Sequence, residues 1–260
     1  MIKNLILFTS IIMCLSFTKG TNTPSNNGYI KSGENLTFTA SYSMSGIMTD
    51  IAEVKMITST IKTKTRELLR LKCTASTYTN WDSFFKVRDL YESYVDPISL
   101  KPSLYKRSIE EGTYKKELKY LFKRKSGIAV STLNKKGYKD YKVDVPIDSK
   151  TLDIVSSIYN ARILDYESMP KGATTVLDVI VDSEVQTVSI KYLGKESVQV
   201  AKDGKKECYK LSLAFGGKEI EDIKGGKYIW ITADNDRLPA LIKADIPVGS
   251  IQIKLSNYTK

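Results

Sequence analysis

Short runs of alternating apolar and polar residues recur along most of this chain, and they constrain its fold more than any other feature. In NLTFTASYSM, Leu36 and Phe38 alternate with threonines, and in KYIWIT, Trp230 lies between two isoleucines. Alternation with this period places one side of a β-strand in a core and the other side in solvent. Turn signals such as Asp203-Gly204 separate the runs. The pattern predicts a mainly β protein built from antiparallel strands.

One segment departs from this alternation and has helical spacing. In KTLDIVSSIYNARILDY, apolar residues recur every three or four positions and form one stripe. Asp148-Ser149 offers an N-cap, and Pro170 and Gly172 follow as stop signals. We therefore predict one principal α-helix over about residues 149–165. Because a sheet of many strands hides its edges by curling, we expect a curved antiparallel sheet or a partly open β-barrel.

The start of the chain has the composition of an export signal. A positive first segment and a mostly apolar run, Leu5 to Phe17, precede small residues that suit cleavage near Gly20. We predict a signal peptide over 1–20, a flexible leader over 21–32 and a single β domain over 33–260. Such a protein is secreted across the inner membrane and is periplasmic or associated with the envelope.

The chain is basic, with a net charge of +11 from 40 lysines and arginines and 29 acidic residues. These cations are spread along the sequence, whereas a nucleic-acid site concentrates them with interleaved aromatic residues. We predict a solvated lysine-rich surface and no nucleic-acid partner. Weak contact with an anionic membrane surface is compatible with this charge.

Histidine is absent from the sequence, and this absence excludes several kinds of active site. Ser-His-Asp and Cys-His sites need imidazole to accept the proton of the nucleophile. Catalytic zinc and non-haem iron lose their usual ligands as well. We predict no cofactor and no metal. Chemistry on carboxylates, lysine or tyrosine remains compatible with the composition.

Cys73 and Cys208 follow the predicted signal peptide and lie in strand-like runs. An oxidising compartment permits a disulfide between them. A buried thiol in a strand also packs as a small apolar group. Both interpretations stay open from the sequence.

Two acidic clusters are candidates for catalytic or metal-binding roles. Asp234 to Asp236 lies between two alternating runs and lacks the glycine and glutamate that an EF-hand loop requires, which favours a hairpin turn over a metal site. In VRDLYESYVD, the acids Asp89, Glu92 and Asp96 would share a helical face, but the aromatic content favours a strand with an arginine–carboxylate pair. The next segment, Lys101 to Glu111, is predicted to be a connection.

Five segments occur in an order that carries a family resemblance. They are GENLTFTASYSMSGI, KVRDLYESYVD, LKPSLYKRSIEEGTY, TLDIVSSIYNARILDY and WITADNDRLPALIKADIPVGSIQIKL. The positions that carry the likeness are Arg88, Asp89, Tyr91, Asp96, Pro102, Arg107, Glu111, Tyr159, Arg162, Pro239 and Gly249. From about Gly33 to Tyr258 the chain resembles the exported bacterial proteins called domain of unknown function 3108, and its composition is similar to that of exported Bacteroidetes proteins.

The resemblance implies no established activity and no catalytic residues. It implies an architecture similar to the curved sheets of periplasmic lipoprotein carriers, which wrap one helix. Fold-level analogy of this kind does not establish a function.

These features predict a non-enzymatic exported protein that binds an apolar or amphipathic, lipid-like ligand, or an envelope protein partner, in the concave face of its sheet. The predicted ligand-binding residues are Phe38, Tyr42, Tyr120, Phe122, Trp230, Arg88 and Asp89. Two alternatives stay open. One is a carboxylate-dependent enzyme on envelope polysaccharide, built on Asp89, Asp96 or Glu111. The other is a structural envelope protein without a small ligand.

Overall fold

The computed structural model describes residues 25–44, 46–135, 139–216, 226–246 and 248–260. The predicted signal peptide and the first residues of the predicted leader lie outside these ranges. Within them, the chain forms one sheet and one α-helix. The predicted mainly β fold with one principal helix is confirmed.

Fifteen strands occupy the described part of the chain. They are β1 (Asn35–Met44), β2 (Ile47–Lys62), β3 (Glu67–Thr77), β4 (Arg88–Val95), β5 (Pro102–Glu111), β6 (Tyr114–Lys123), β7 (Ile128–Lys135), β8 (Tyr141–Pro146), β9 (Leu152–Asp153), β10 (Thr174–Val181), β11 (Glu184–Gln199), β12 (Lys205–Phe215), β13 (Lys227–Thr232), β14 (Pro239–Asp245) and β15 (Ser250–Thr259). The helix α1 spans Ile154–Arg162, and short 3-10 helices cover Arg124–Ser126 and Ala201–Asp203.

The strand order across the sheet is β8-β7-β6-β5-β4-β3-β2-β1-β15-β14-β13-β12-β11-β10-β9. Neighbours pair antiparallel, except that β9 runs parallel to β10. Strands β1 to β8 follow one another across one half of the sheet. After β9 and α1, strands β10 to β15 form the other half, and β15 pairs with β1. The sheet curls so that β9 lies against β5 and β8 against β11. The predicted curved antiparallel sheet is confirmed.

Consecutive antiparallel strands place their connections alternately at two ends of this sheet. We call one end the upper end; it carries the β1–β2, β3–β4, β5–β6, β10–β11 and β14–β15 connections. The opposite, lower end carries the β2–β3, β4–β5, β6–β7, β8–β9, β11–β12 and β13–β14 connections. This division separates two regions with different surface chemistry.

Helix α1 lies inside the curve, against β3, β4, β9 and β10. Val155 and Tyr159 belong to a large hydrophobic cluster with residues of β1 to β8. On the other side of the helix, Ala161 joins a second cluster that includes Tyr209 and Leu211 of β12. A helix buried on nearly all sides belongs to the core of its domain. The concave face of the sheet is therefore occupied by α1 and its packing partners.

The helix is shorter than the predicted 149–165. Its N-cap is Asp153, whose side chain accepts a hydrogen bond from the Ser156 amide in a capping box. Asp148, the predicted cap, instead accepts the Thr151 amide at 2.6 Å and forms a local turn. The two residues between that turn and α1 pair with β10 as β9, so the helix begins after them.

The segment predicted to be a connection, Lys101 to Glu111, forms strand β5 instead. Tyr105 and Ile109 are buried and Lys106 is exposed, which is the alternation of a strand with one face in the core. Pro102 occupies the first position of the strand, a place where proline is tolerated. That proline and the charged residues obscured the pattern in the sequence.

The predicted turns at Asp203-Gly204 and Asp234–Asp236 are confirmed as connections of the β11–β12 and β13–β14 hairpins. Asp234 Oδ1 accepts hydrogen bonds from Thr232 Oγ1 at 2.6 Å and from the Asp236 amide at 3.1 Å. In the ranges that the structure covers, acidic and cysteine side chains form no group of three or more that could hold a metal ion. Cys73 and Cys208 are both free thiols.

No helix among the described residues has the length and apolar character needed to cross a membrane.

Candidate functional site

Four of the predicted ligand-binding residues lie in the hydrophobic core. Phe38, Tyr120, Phe122 and Trp230 are all buried in the large cluster. Tyr120 stacks on Tyr105 with ring centroids 5.3 Å apart and meets the edge of Phe122 at 6.4 Å. All four side chains are enclosed by other residues of the protein, so their contribution here is to core packing.

A buried ion pair fixes α1 at the lower end. Arg162 Nη1 and Nη2 donate to the two carboxylate oxygens of Glu34, each at 2.7 Å, and these side chains are 0% and 5% exposed. Arg162 Nε donates to the Arg237 carbonyl at 2.8 Å, and the guanidinium lies 5.1 Å from the Tyr159 ring. Buried charges are tolerated when their hydrogen bonds are satisfied, as they are here. The helix is thereby tied to the start of β1 and to the β13–β14 turn.

At the other end of the interior, the β10–β11 turn docks on the inner face of β5 and β6. Its two residues, Asp182 and Ser183, have φ angles of 47° and 71°. Asp182 pairs with Arg107 and with Lys116, and the Ser183 amide donates to the Tyr120 hydroxyl at 3.1 Å. Non-glycine residues at positive φ cost free energy, which these contacts offset. The turn covers Tyr120 from the upper end.

Asp89 lies on the inner face of β4 and is buried. Its carboxylate accepts hydrogen bonds from the Glu110 amide at 3.1 Å and from the Tyr91 hydroxyl at 3.2 Å. Burial raises the pKa of Asp89, and the two hydrogen bonds and the nearby Arg107 oppose that rise. Tyr91 belongs to β4 itself, whereas Glu110 belongs to β5, so the hydrogen bond from the Glu110 amide ties β4 to β5.

The carboxyl group of Asp153, the N-cap of α1, is also fully buried. It accepts hydrogen bonds from Ser93 Oγ at 2.6 Å and from the Ser156 amide at 2.9 Å. Burial raises the pKa of Asp153 to about 6, although both hydrogen bonds favour the ionised form. The interior thus contains polar groups that join the helix to the sheet.

Arg88 and Tyr42, also predicted to bind ligand, anchor connections at the upper end. Arg88 Nη2 donates to Asp82 Oδ2 at 2.5 Å, and its Nη1 donates to Thr77 Oγ1 at 3.0 Å, which fixes the β3–β4 connection. The Tyr42 hydroxyl donates to the Val248 carbonyl at 2.7 Å and fixes the β14–β15 turn. Both side chains therefore support turns whose own apolar residues are exposed.

The β3–β4 connection presents two adjacent phenylalanines to solvent. Trp81 Nε1 donates to the Asp50 carbonyl at 3.0 Å and holds the connection against β2. The Trp81 and Phe84 rings lie 5.8 Å apart. With the base of the connection fixed, Phe84 and Phe85 project from the upper end.

We call five exposed side chains at the upper end the apolar rim: Ile47 (73% exposed), Met48 (46%), Phe84 (81%), Phe85 (57%) and Val248 (61%). Ile47 and Met48 begin β2, and the other three lie in the β3–β4 and β14–β15 connections. These positions are adjacent because β15, β1, β2 and β3 are neighbours in the sheet. Single exposed apolar residues are ordinary, whereas a group gathered at one end of a domain marks an interaction surface.

Sequence reasoning missed the apolar rim because its residues lie in connections or at the first positions of a strand and have no periodic spacing. The detectable signal was the Phe84-Phe85 pair close to Trp81, three aromatic residues within a segment that does not alternate.

The outer face of β4 to β7 carries a shallow hollow of about 400 Å³. Its lining is mixed in charge: Leu90, Glu92, Lys106, Arg107, Ser108, Glu117, Leu118, Lys119, Thr132, Asn134 and Asp140. Glu92 is paired with Arg70 of the adjacent strand β3. This pair confirms the predicted strand and its arginine–carboxylate contact.

The fold is similar to that of a solved structure, a beta-barrel-like protein of domain of unknown function DUF1849 from Brucella abortus. The two share 9% sequence identity with a TM-score of 0.55, over 86% of this chain and 96% of that chain. No curated protein matches the chain. The family model of DUF3108, a protein of unknown function, matches residues 37–256. The chain therefore belongs to the DUF3108 family.

Proposed function

We propose that this protein is a non-enzymatic binding protein of the cell envelope, exported by its N-terminal segment, that docks on an anionic lipid surface through the apolar rim. The observation that supports this most directly is the gathering of exposed phenylalanine and aliphatic side chains at the upper end. Their exposure is unfavourable in water and is relieved by transfer into an apolar phase.

The form of the apolar rim suits a bilayer. Its side chains stand on the tips of separate turns, so each can enter the headgroup region without rearrangement of the sheet. Burial of one phenylalanine side chain contributes roughly 1.5–3 kcal/mol. Lys86 is exposed next to Phe85. The chain that follows the predicted signal peptide has a net charge of +9, because that peptide holds two lysines and no acidic residue, and this charge favours anionic lipids. Each cation near such a surface adds about 1 kcal/mol.

Docking at the apolar rim also leaves the interior intact. Sequestration of a lipid in the concave face would require displacement of α1, which is held by the Arg162–Glu34 pair. It would also require displacement of the turn at Asp182 and Ser183. The contact with lipid is therefore assigned to the upper end of the molecule and not to the concave face.

Vesicle flotation tests this proposal with phosphatidylcholine vesicles that contain or lack phosphatidylglycerol. The double substitution Phe84→Ser/Phe85→Ser should weaken binding to the anionic vesicles by about a hundredfold, from the loss of roughly 3 kcal/mol of apolar burial. The matched control is Leu121→Ser, which removes an apolar side chain that is 44% exposed on the outer face of β6. The control should bind like the unmodified protein.

Absence of vesicle binding by the unmodified protein would overturn the proposal and would favour a protein partner for the apolar rim. Equal binding by the double variant and the unmodified protein would also contradict it, because the rim would then play no part in the contact.

A further inference from the structure

A second surface feature lies at the lower end, away from the apolar rim. It is a hollow of about 340 Å³ between the β2–β3 and β6–β7 connections. We call it the basic hollow. Its lining residues are Arg66, Pro102, Ser103, Phe122, Lys123, Arg124, Lys125 and Ser126.

The lining of the basic hollow carries positive charge only. Four of its lining residues are cations and none is acidic. Several other arginines of this protein have carboxylate partners; Arg70 pairs with Glu92, for example, and Arg162 with Glu34. Across the described residues, by contrast, none of the four cations of the basic hollow forms a salt bridge. Like charges held close together repel, and a bound anion would offset that repulsion.

Arg124 forms the fixed part of the basic hollow. Its Nη2 donates to the Pro102 carbonyl at 3.1 Å and to the Thr151 carbonyl at 2.9 Å, and its Nη1 to two further carbonyls of the β8–β9 connection. The guanidinium lies 5.1 Å from the Phe122 ring, and Nε is buried with no hydrogen-bond partner among the described atoms. Burial lowers the pKa of Arg124. The residue contributes a rigid, poorly solvated positive charge.

The remaining cations keep donors free for a ligand. Arg66 donates from Nη2 to Ser103 Oγ at 2.9 Å, and this bond orients its planar group beside a hydroxyl. Lys123, Lys125 and Ser126 are exposed at the opposite wall. Guanidinium, ammonium and hydroxyl donors that converge from two walls suit an oxyanion with several acceptor oxygens.

We propose that the basic hollow is a binding site for a phosphate group, either free or carried by a phosphate ester. A dianionic phosphate offers acceptor oxygens to both walls and balances part of the four positive charges. A single carboxylate provides one charge and two oxygens, and it leaves more of the repulsion uncompensated. This site does not depend on the lipid contact proposed for the apolar rim.

Calorimetric titration with inorganic phosphate at physiological salt tests the site. Saturable binding of one phosphate per chain is expected, with about tenfold weaker binding after Arg66→Gln and a comparable loss after Lys125→Gln. Arg66 and Lys125 are exposed, so neither substitution should disturb folding. The matched control is Lys171→Gln, which removes an exposed lysine outside the basic hollow. It should leave the affinity unchanged.

Equal weakening in all three variants would show a diffuse charge effect and would overturn the site, as would absence of saturation.

Glycerol 3-phosphate and a short-chain phosphatidic acid then identify the source of the phosphate. Tighter binding of the phosphatidic acid, still sensitive to Arg66→Gln, assigns a lipid headgroup. Equal affinity of the two assigns a soluble phosphate ester. Phosphate binding should persist in Phe84→Ser/Phe85→Ser, so a failure of the apolar rim does not affect this result.

Discussion

The lower and upper ends of this protein differ in the exposure of their large side chains. At the lower end, Arg162, Glu34 and the β13–β14 turn form a closed set of hydrogen bonds around the C-terminal end of α1. At the upper end, Phe84, Ile47 and Val248 stand in solvent on turns whose bases are firmly anchored. The first arrangement stabilises the fold, and the second is available for a partner.

This difference separates residues that hold the fold from residues that we propose bind lipid. Substitutions around α1 should change the stability of the protein. Substitutions in the apolar rim should change its binding and leave the stability unaltered. Four predictions test that separation.

The largest effect is expected from Arg162→Met. The substitution leaves Glu34, which is 5% exposed, without its cation. Removal of one partner of a buried ion pair costs about 3–5 kcal/mol, so the free energy of unfolding should fall by that amount in urea denaturation. The double variant Glu34→Gln/Arg162→Met is the control and should recover more than half of the loss. A change below about 1 kcal/mol in the single variant would contradict the role of this pair.

Asp153 gives the next largest effect through pH. Its pKa is raised to about 6 in the folded state, whereas an unperturbed aspartate has a pKa of about 3.9. Between these values the folded protein binds the additional proton, so this group stabilises the fold as pH falls from 6 to 4. The full change is about 3 kcal/mol. Asparagine is uncharged and retains the N-cap, so the Asp153→Asn variant should lack this gain in stability between pH 6 and pH 4.

Urea denaturation of both proteins from pH 7 to pH 4 measures that difference. The free energy of unfolding of the Asn variant, relative to that of the wild type, should be about 3 kcal/mol higher at pH 7 than at pH 4. Parallel curves for the two proteins would show that the Asp153 carboxyl group is not held in the buried environment described above.

Asp89→Asn should have a smaller effect. The amide oxygen can still accept the hydrogen bond from the Glu110 amide, and the amide nitrogen, in place of the second carboxylate oxygen, can donate to the Tyr91 hydroxyl. We expect the free energy of unfolding to change by about 1 kcal/mol or less, with vesicle binding unchanged. Loss of turnover on an envelope polysaccharide extract, at unchanged stability, would instead identify Asp89 as a catalytic carboxylate.

The smallest effect on stability is expected at the apolar rim. Phe84→Ser/Phe85→Ser removes side chains that already lie in solvent, so the free energy of unfolding should stay within about 0.5 kcal/mol of the wild type. Thermal or urea denaturation measures this directly. A larger loss would mean that the phenylalanines support the β3–β4 connection, and the separation of the two ends would fail.

Local sequence patterns predicted the parts of the fold that depend on local structure. The alternation around Phe38 and Trp230 corresponds to β1 and β13, and the acidic turn at Asp234 connects two strands as expected. The helix start was misplaced because Asp148 and Asp153 are both good caps. The position of β9 beside β10 decides between them, and that pairing is not visible in the local sequence.

The filling of the concave face could not be predicted in the same way. An apolar stripe indicates that one side of a helix is buried, but α1 is buried on nearly all sides. The partner of Arg162 is Glu34, which is distant in sequence and carries no local signal. The five aromatic positions expected to face a ligand share the alternation of ordinary core residues, and four of them, Phe38, Tyr120, Phe122 and Trp230, are buried in that core.

The two tryptophans provide the most direct test of the central claim, because Trp81 lies beside the apolar rim and Trp230 lies in the core. Lipids brominated on their acyl chains quench only those tryptophans that they approach closely. With brominated anionic vesicles, we predict quenching in the unmodified protein and no quenching in Trp81→Phe, where Trp230 is the remaining fluorophore. Quenching of Trp230 in that variant would show that lipid reaches a buried site away from the apolar rim, and it would contradict docking at the apolar rim alone.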